Sequence, residues 1–219
     1  MHAQHLGADM VWARRAEYLA DAESARAAAS FRRERALRRK EDVRLAERLC
    51  VRVLEPADAG HLRALFGRLS MRSRWMRYLA PLRSVSEPML RRLAAIDHDR
   101  HEALGAFDGV ELVAVAHYFR DPVQPARAEI SVEVADSHQR RGVGQRLLND
   151  LAKVARGRGI SEFQATASLE NTGVLAMVRN SQWPATVTRS GPEVDIALTL
   201  PDTVAVPMQG RADLLAPCP

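Results

Sequence analysis

The sequence predicts an α/β (α+β) layer fold, a mixed and mostly antiparallel sheet of about six to seven strands flanked by helices. Three observations predict it. Apolar residues recur at helical spacing up to about residue 96 and again after residue 143, and alternate with polar ones in between. The pair Asp108-Gly109 stands between two alternating runs, as a tight hairpin turn requires. The segments also follow one another as strand, two helices, three strands, helix, strand, helix and two strands, without an internal repeat.

Residues 1–49 stand apart from this pattern. They are basic, rich in Ala and Arg, and contain no Pro; "SFRRERALRRKEDVRLAERL" has high helix propensity but no continuous apolar stripe. This predicts a helical or partly disordered extension that is dispensable to the core. The domain is expected over 50–200. "CVRVLEP" alternates and ends in Pro, as a short strand does. Leu62, Leu65, Phe66 and Leu69 predict a helix over about 57–69. In "RSVSEPMLRRLAAI", Ser86 is an N-cap and Pro88 falls in the first turn of a second helix. Ser70, Ser73, Arg74 and Arg77 are assigned to the substrate-side loop or to a solvated helix.

"HEALGAF" and "VELVAVAHYF" form the hairpin, and "ARAEISVEVAD" a third strand with Ile130, Val132 and Val134 on one face and Glu129, Ser131 and Glu133 on the other. A long helix carries Val143, Leu147, Leu151 and Val154 on one side and stops at Arg158-Gly159. "EFQATAS" is a strand, "NTGVLAMVRN" a short helix, and "ATVTRS" and "VDIALTL" a closing strand pair. The tail, 201–219, has little pattern and is expected to be loose.

The chain has 219 residues, 47% of them hydrophobic, enough for one core without staples. Cys50 and Cys218 are isolated in sequence, which suggests neither a disulfide framework nor a zinc site and fits a reducing compartment. There is no long apolar run and no apolar leader, so the expectation is a cytoplasmic protein with no membrane contact. Basic residues exceed acidic ones by 32 to 27, which permits an anionic ligand without calling for nucleic acid. "DHDRH", Asp97 to His101, has no second ligand cluster nearby and reads as a surface turn, so no metal is expected.

"QRRGVGQRLL", Gln139 to Leu148, joins the third strand of the hairpin region to the long helix. Unpaired amides and the helix dipole make a helix start suited to phosphate, and glycine lets the backbone approach. Gly142 and Gly144 thus fit either a flexible loop ending at a helix or the seat of a phosphate-bearing cofactor, with charge from Arg140 and Arg141. The run is neither a Walker loop nor the three-glycine dinucleotide fingerprint.

"AEISVEVADSHQRRGVGQRLLNDLAKVARGRGI" resembles the central motif of the GNAT N-acetyltransferase superfamily, with Gln139, Gly142 and Gly144 at its fixed positions. "FQATASLENTGVLAMVRNSQW" is similar to the motif that follows, and "LFGRLSMRSRWMRYLAP" resembles the bacterial Pat-like protein-lysine acetyltransferases. The resemblance covers about 150 residues and implies a GNAT fold and acetyl-CoA, or another acyl-CoA, as donor. It implies that the pyrophosphate lies on the amides from Arg141 through Gly142, Val143 and Gly144 to Gln145, that the pantetheine arm runs beside Val132, Glu133 and Val134 like an extra strand, and that Asn171 contacts that arm. Read unaided, Asn171 is a helix N-cap.

Acyl transfer to an amine needs a base, because a lysine-like amine is mostly protonated at neutral pH. Glu129 matches the family glutamate, and Glu133, on the same face, is its rival. The tyrosine that many members use as general acid is replaced by Val178. The resemblance therefore implies an acyl-CoA-dependent N-acyltransferase acting on a primary amine. The acceptor is left open between a protein lysine and a small molecule, and a homodimer is left open too. Two rivals are a non-catalytic CoA-binding module, favoured by Val178, and an interaction protein working through the basic extension.

Overall fold

A computed structural model describes residues 27–37, 41–42, 44–181 and 183–202. The chain divides into two compact units, Met1–Arg44 and Leu45–Pro219. In the first, residues 27–37 are helical and exposed throughout. Residues 38–40 and 43 of the mixed-charge run, and the expected loose tail from 203 onward, lie outside the described residues.

Strand alternation in the second unit produces one seven-stranded sheet. Its strands are β1 (Cys50–Val53), β2 (His101–Asp108), β3 (Glu111–Arg120), β4 (Arg127–Val134), β5 (Glu162–Ser168), β6 (Ala185–Ser190) and β7 (Glu193–Thr199). Their spatial order is β1-β2-β3-β4-β5-β7-β6. All neighbours are antiparallel except β4 and β5. The β2–β3 turn is Gly109-Val110, with Gly109 at φ 59°.

The helices are α1 (Ala59–Gly67), α2 (Met71–Tyr78), α3 (Glu87–Ala94), α4 (Val143–Gly157) and α5 (Thr172–Ser181). Ser86 caps α3, its hydroxyl accepting from Met89 N. Helix α2 raises the expected pair of helices to three, and is the solvated helix that stood as one of two readings for Ser70 to Arg77. None of its residues is buried, so it leaves no apolar stripe for periodicity to detect.

The apolar face of α4 (Val143, Leu147, Leu148, Leu151, Ala152 and Ala155) packs on Ala128, Phe163, Val194, Ile196 and Leu198 of the sheet, with Ile130, Val132 and Val134 alongside. Burying a Leu or Phe of this kind is worth about 1.5–3 kcal/mol. On the other face, Leu62 and Leu65 of α1 and Leu90 of α3 cover Phe107, Leu112 and Val115. Ala46 and Leu49 belong to the α4 core, and Arg146 donates to the carbonyls of both. Residues 45–49 therefore pack with the domain rather than with the extension. Cys50, which opens β1, is disulfide-bonded and not the isolated thiol that the sequence suggested.

A buried polar cluster ties α4 to β2. Glu102 is fully buried, and Arg158, the C-cap of α4, approaches it at 2.7 Å. That approach is an ion pair without hydrogen-bond alignment. Arg158 also donates to the Tyr118 hydroxyl at 2.6 Å. His98 bridges Glu102 (2.8 Å) and Glu55 (3.1 Å). Burial opposes charge on His98, but the hydrogen bonds to Glu102 and then Glu55 outweigh it and raise its pKa. A raised histidine pKa stabilises the fold fully below the unfolded value of about 6.5 and loses that contribution as pH climbs through the folded value. His98→Asn should therefore cost most stability at pH 5–6, with the difference from the parent shrinking as pH rises in urea titrations. A difference that grows with pH would contradict the bridge.

Candidate active site

Strands β4 and β5 stay in register for three pairs only: Arg127 with Glu162, Ala128 with Phe163, and Glu129 with Gln164. Beyond Glu129 they part, and β4 runs on alone on that side through Ile130–Val134. A wedge thus opens in the middle of the sheet, and the loop to α4 lies at its wide end.

That loop is wound tightly. Arg140 has φ 60° and Gly142 φ 81°, left-handed backbone that a residue with a Cβ adopts at some cost. Gly142 is the N-cap of α4, and the first helical bond runs from Arg146 N to its carbonyl at 3.0 Å. The amides of Val143, Gly144 and Gln145 precede that bond, so the helix itself leaves them without a partner. Gly144 serves packing: a Cβ there would meet Met177 Sδ at 3.0 Å, and Val132 and Val134 at 3.5 Å. Gln139 fastens the loop, its Nε2 donating to Val134 O (3.0 Å), Ser73 Oγ (3.0 Å) and Asp136 Oδ1 (3.1 Å). Gln145 donates to Asn149 along α4.

The two candidate carboxylates occupy different surroundings. Glu133 is buried; Tyr78 donates its hydroxyl to it at 2.7 Å, and Arg77 lies 3.2 Å away. Burial and then the Glu133 charge raise the Tyr78 pKa, so the phenol stays protonated. Glu129 is exposed on the same strand face. It lines an open cavity of about 660 Å³ with Phe119, Gln164, Thr166, Asp195 and Arg92. Asn171 caps α5, its Oδ1 accepting from Val174 N at 3.1 Å, while its Nδ2 reaches Met76 O of α2 at 3.4 Å. Val178 is half-buried against the α4 core.

The model of the acetyltransferase (GNAT) family matches residues 70–180, just over half of the chain. The chain belongs to the GNAT acetyltransferase family. It is therefore an acyl-CoA-dependent N-acyltransferase with acetyl-CoA as donor. The GNAT domain of S. lividans PAT is 29% identical, with a TM-score of 0.64 over 68% of this chain and 89% of that one. The GNAT-family acetyltransferase of Streptococcus pneumoniae is 19% identical (TM-score 0.57; 70% and 99% covered). The acetyltransferase yncA of Salmonella typhimurium, solved with acetyl-CoA, is likewise 19% identical (TM-score 0.55; 70% and 95% covered). The last two support the fold.

Within this GNAT chain the structure brings Glu129, Glu133 and the wedge together on β4, with Gln139 to Gln145 at its mouth. Sequence reading placed Ser73 and Arg77 on a substrate-side loop or solvated helix without assigning them partners, and passed over Tyr78. Their partners Asp136, Gln139 and Glu133 lie more than fifty residues away, and the one local signal is the Ser70 N-cap, which accepts from Ser73 N. Asp97 shapes a turn, as expected, by accepting from the amides of Asp99, Arg100 and His101. His101, however, is buried. No metal-binding cluster occurs among the described residues, and no described helix is long and apolar enough to cross a membrane.

Proposed function

We propose that this GNAT enzyme acylates a primary amine, with a protein lysine side chain as the favoured acceptor, in the cavity beside Glu129. The observation that carries the proposal is the contrast on β4. Glu129 is exposed and faces the cavity where β4 and β5 part, whereas Glu133 is buried and held by α2. A general base must reach its proton, and Glu129 is the carboxylate with room to do so. The lysine preference rests on the likeness to the S. lividans PAT domain and on Glu129 and Asp195 in the cavity wall, which suit a cation.

The residues at the wedge fit an acyl-CoA donor. The unpartnered amides at Val143, Gly144 and Gln145 would take the pyrophosphate, with charge from Arg140 and Arg141. The open side of β4, at Val132, Glu133 and Val134, would take the pantetheine arm, with Asn171 across the wedge. The thioester supplies an acyl carbon open to attack by a neutral amine. Glu129 accepts the ammonium proton, and β4 holds it in place.

Purified protein should transfer label from labelled acetyl-CoA to lysines in cell extract, located by mass spectrometry, with release of free thiol. Label confined to small amines would reassign the acceptor. No label and no thiol release would remove the catalytic reading. Binding at the loop has its own check. Gly142→Val forces a branched residue into left-handed backbone, and CoA affinity by calorimetry should fall about tenfold or more while the protein stays folded. Unchanged affinity would take the loop out of the site.

A further inference from the structure

Between Glu129 and Glu133 on β4 stands Ser131, and its registered partner on β3 is His117. His117 is 1% exposed. Its Nε2 and the Ser131 Oγ are both buried atoms without a hydrogen-bond partner. Buried polar atoms are nearly always paired, so two orphans on adjoining strands beside a cleft need an explanation.

The histidine is set from behind. His101 Nδ1 lies 3.0 Å from Ala95 O, which can only accept, so that nitrogen carries the proton. His101 Nε2 then offers a lone pair to His117 Nδ1 at 2.9 Å, which must be the donor. His117 Nε2 is left as a bare acceptor. Burial, then the nearby His101 and Arg77, push the His117 pKa well below the ordinary value, so the ring is neutral and the lone pair persists. Stacking of His101 on Phe119 at 4.1 Å holds the rings in place.

We infer that Ser131 is a second contact for the acceptor amine, with its hydroxyl aimed by His117. The inference rests on the acyl-transfer reading above. Ser131 Oγ is buried and not bonded to His117 in this structure; in the proposed complex a turn about the Cα–Cβ bond of Ser131 directs its O–H to His117 Nε2, across a registered strand pair whose Cβ atoms stand about 4.5–5.5 Å apart. The serine oxygen then accepts from an amine N–H. Glu129 and Ser131 leave the same face two residues apart, about 6–7 Å along the strand. One nitrogen making hydrogen bonds of about 2.9 Å on each side bridges most of that distance. The ammonium gives one proton to Glu129 and keeps a second N–H on Ser131, which retains the nitrogen while the freed lone pair turns to the acyl carbon; the carbon–nitrogen bond forms, the carbon–sulfur bond breaks, and the thiolate leaves and takes up the proton that the nitrogen then loses. No proton passes through the serine. His117 and His101 are positioning residues.

The test uses full-length protein and the amine that the wild type acylates best. Ser131→Ala should lower kcat about tenfold or more, with CoA affinity by calorimetry and the melting temperature unchanged. Ser131→Thr, which keeps the hydroxyl, should retain most of the activity. His117→Phe keeps the ring stack and removes the acceptor; it should match the Ser131→Ala loss, and the double variant should be no slower than either, because the pair acts as a unit. If His117→Phe does not fold, the Ala and Thr variants decide alone. Ser131→Ala turning over at the wild-type kcat, Thr failing along with Ala, or losses that multiply in the double variant would each overturn the inference. A wild type that acylates no amine would instead overturn the reading on which it rests.

Discussion

Glu129→Gln should slow acyl transfer by about 10²–10⁴-fold near neutral pH, the usual span for a positioned acid or base. The amide keeps the size of the carboxylate and its place on the cavity wall, so CoA affinity should hold. Raising the pH should restore part of the rate, because more of the amine is then neutral without help. Glu133→Gln is the control. It weakens the hold on Tyr78 and Arg77, so its defect should appear in stability or in KM and should not be rescued by base. Single-turnover rates over a pH series separate the two. If Glu133→Gln shows the base-rescued loss and Glu129→Gln does not, the roles are exchanged. If neither does, the base lies off β4.

The largest effect on folding is expected at Arg158. Arg158→Leu leaves the fully buried Glu102 without its guanidinium, and breaking one side of a buried pair costs about 3–5 kcal/mol. His98 also touches Glu102 and offsets part of the loss while protonated, so the cost should be greater at pH 8 than at pH 5.5. Replacing both partners, Glu102→Leu with Arg158→Leu, should recover most of the stability, since no charge is then stranded. Urea unfolding midpoints at the two pH values measure all of this. A single variant within about 1 kcal/mol of wild type at pH 8 would mean that Glu102 is hydrated or neutral in the fold, the range usual for surface ion pairs.

The sheet was legible because its signals are local. Alternation in "ARAEISVEVAD" placed Glu129 and Glu133 on one face, and the structure keeps them there. The glycine pair marked the start of α4, although Gly144 faces Met177 and the valines of β4, a packing role that sequence cannot distinguish from ligand approach. Three features were not legible, each for a tertiary reason. Helix α2 has no apolar stripe and is defined by partners far along the chain. The different fates of Glu129 and Glu133 depend on where α2 ends. His101, read as part of a surface turn, is buried because Ala95 O and His117 hold it inside.

The fastening of α2 is largely polar, with Tyr78 and Arg74 also set against the ring of Phe66, and it has a dynamic consequence. Its ties are Ser73 to Asp136, Tyr78 and Arg77 to Glu133, and the Met76 carbonyl to Asn171, while Met71 and Trp75 remain about half exposed. Water can replace each such hydrogen bond at a net cost of only about 0.5–1.5 kcal/mol. Segments with little buried apolar surface open well before the whole molecule unfolds. Amides of Met71–Tyr78 should therefore exchange deuterium far sooner than those of β3, whose centre is buried on both faces. The helix that holds Glu133 would then be the first part of the domain to loosen, and the floor beneath Glu129 the last.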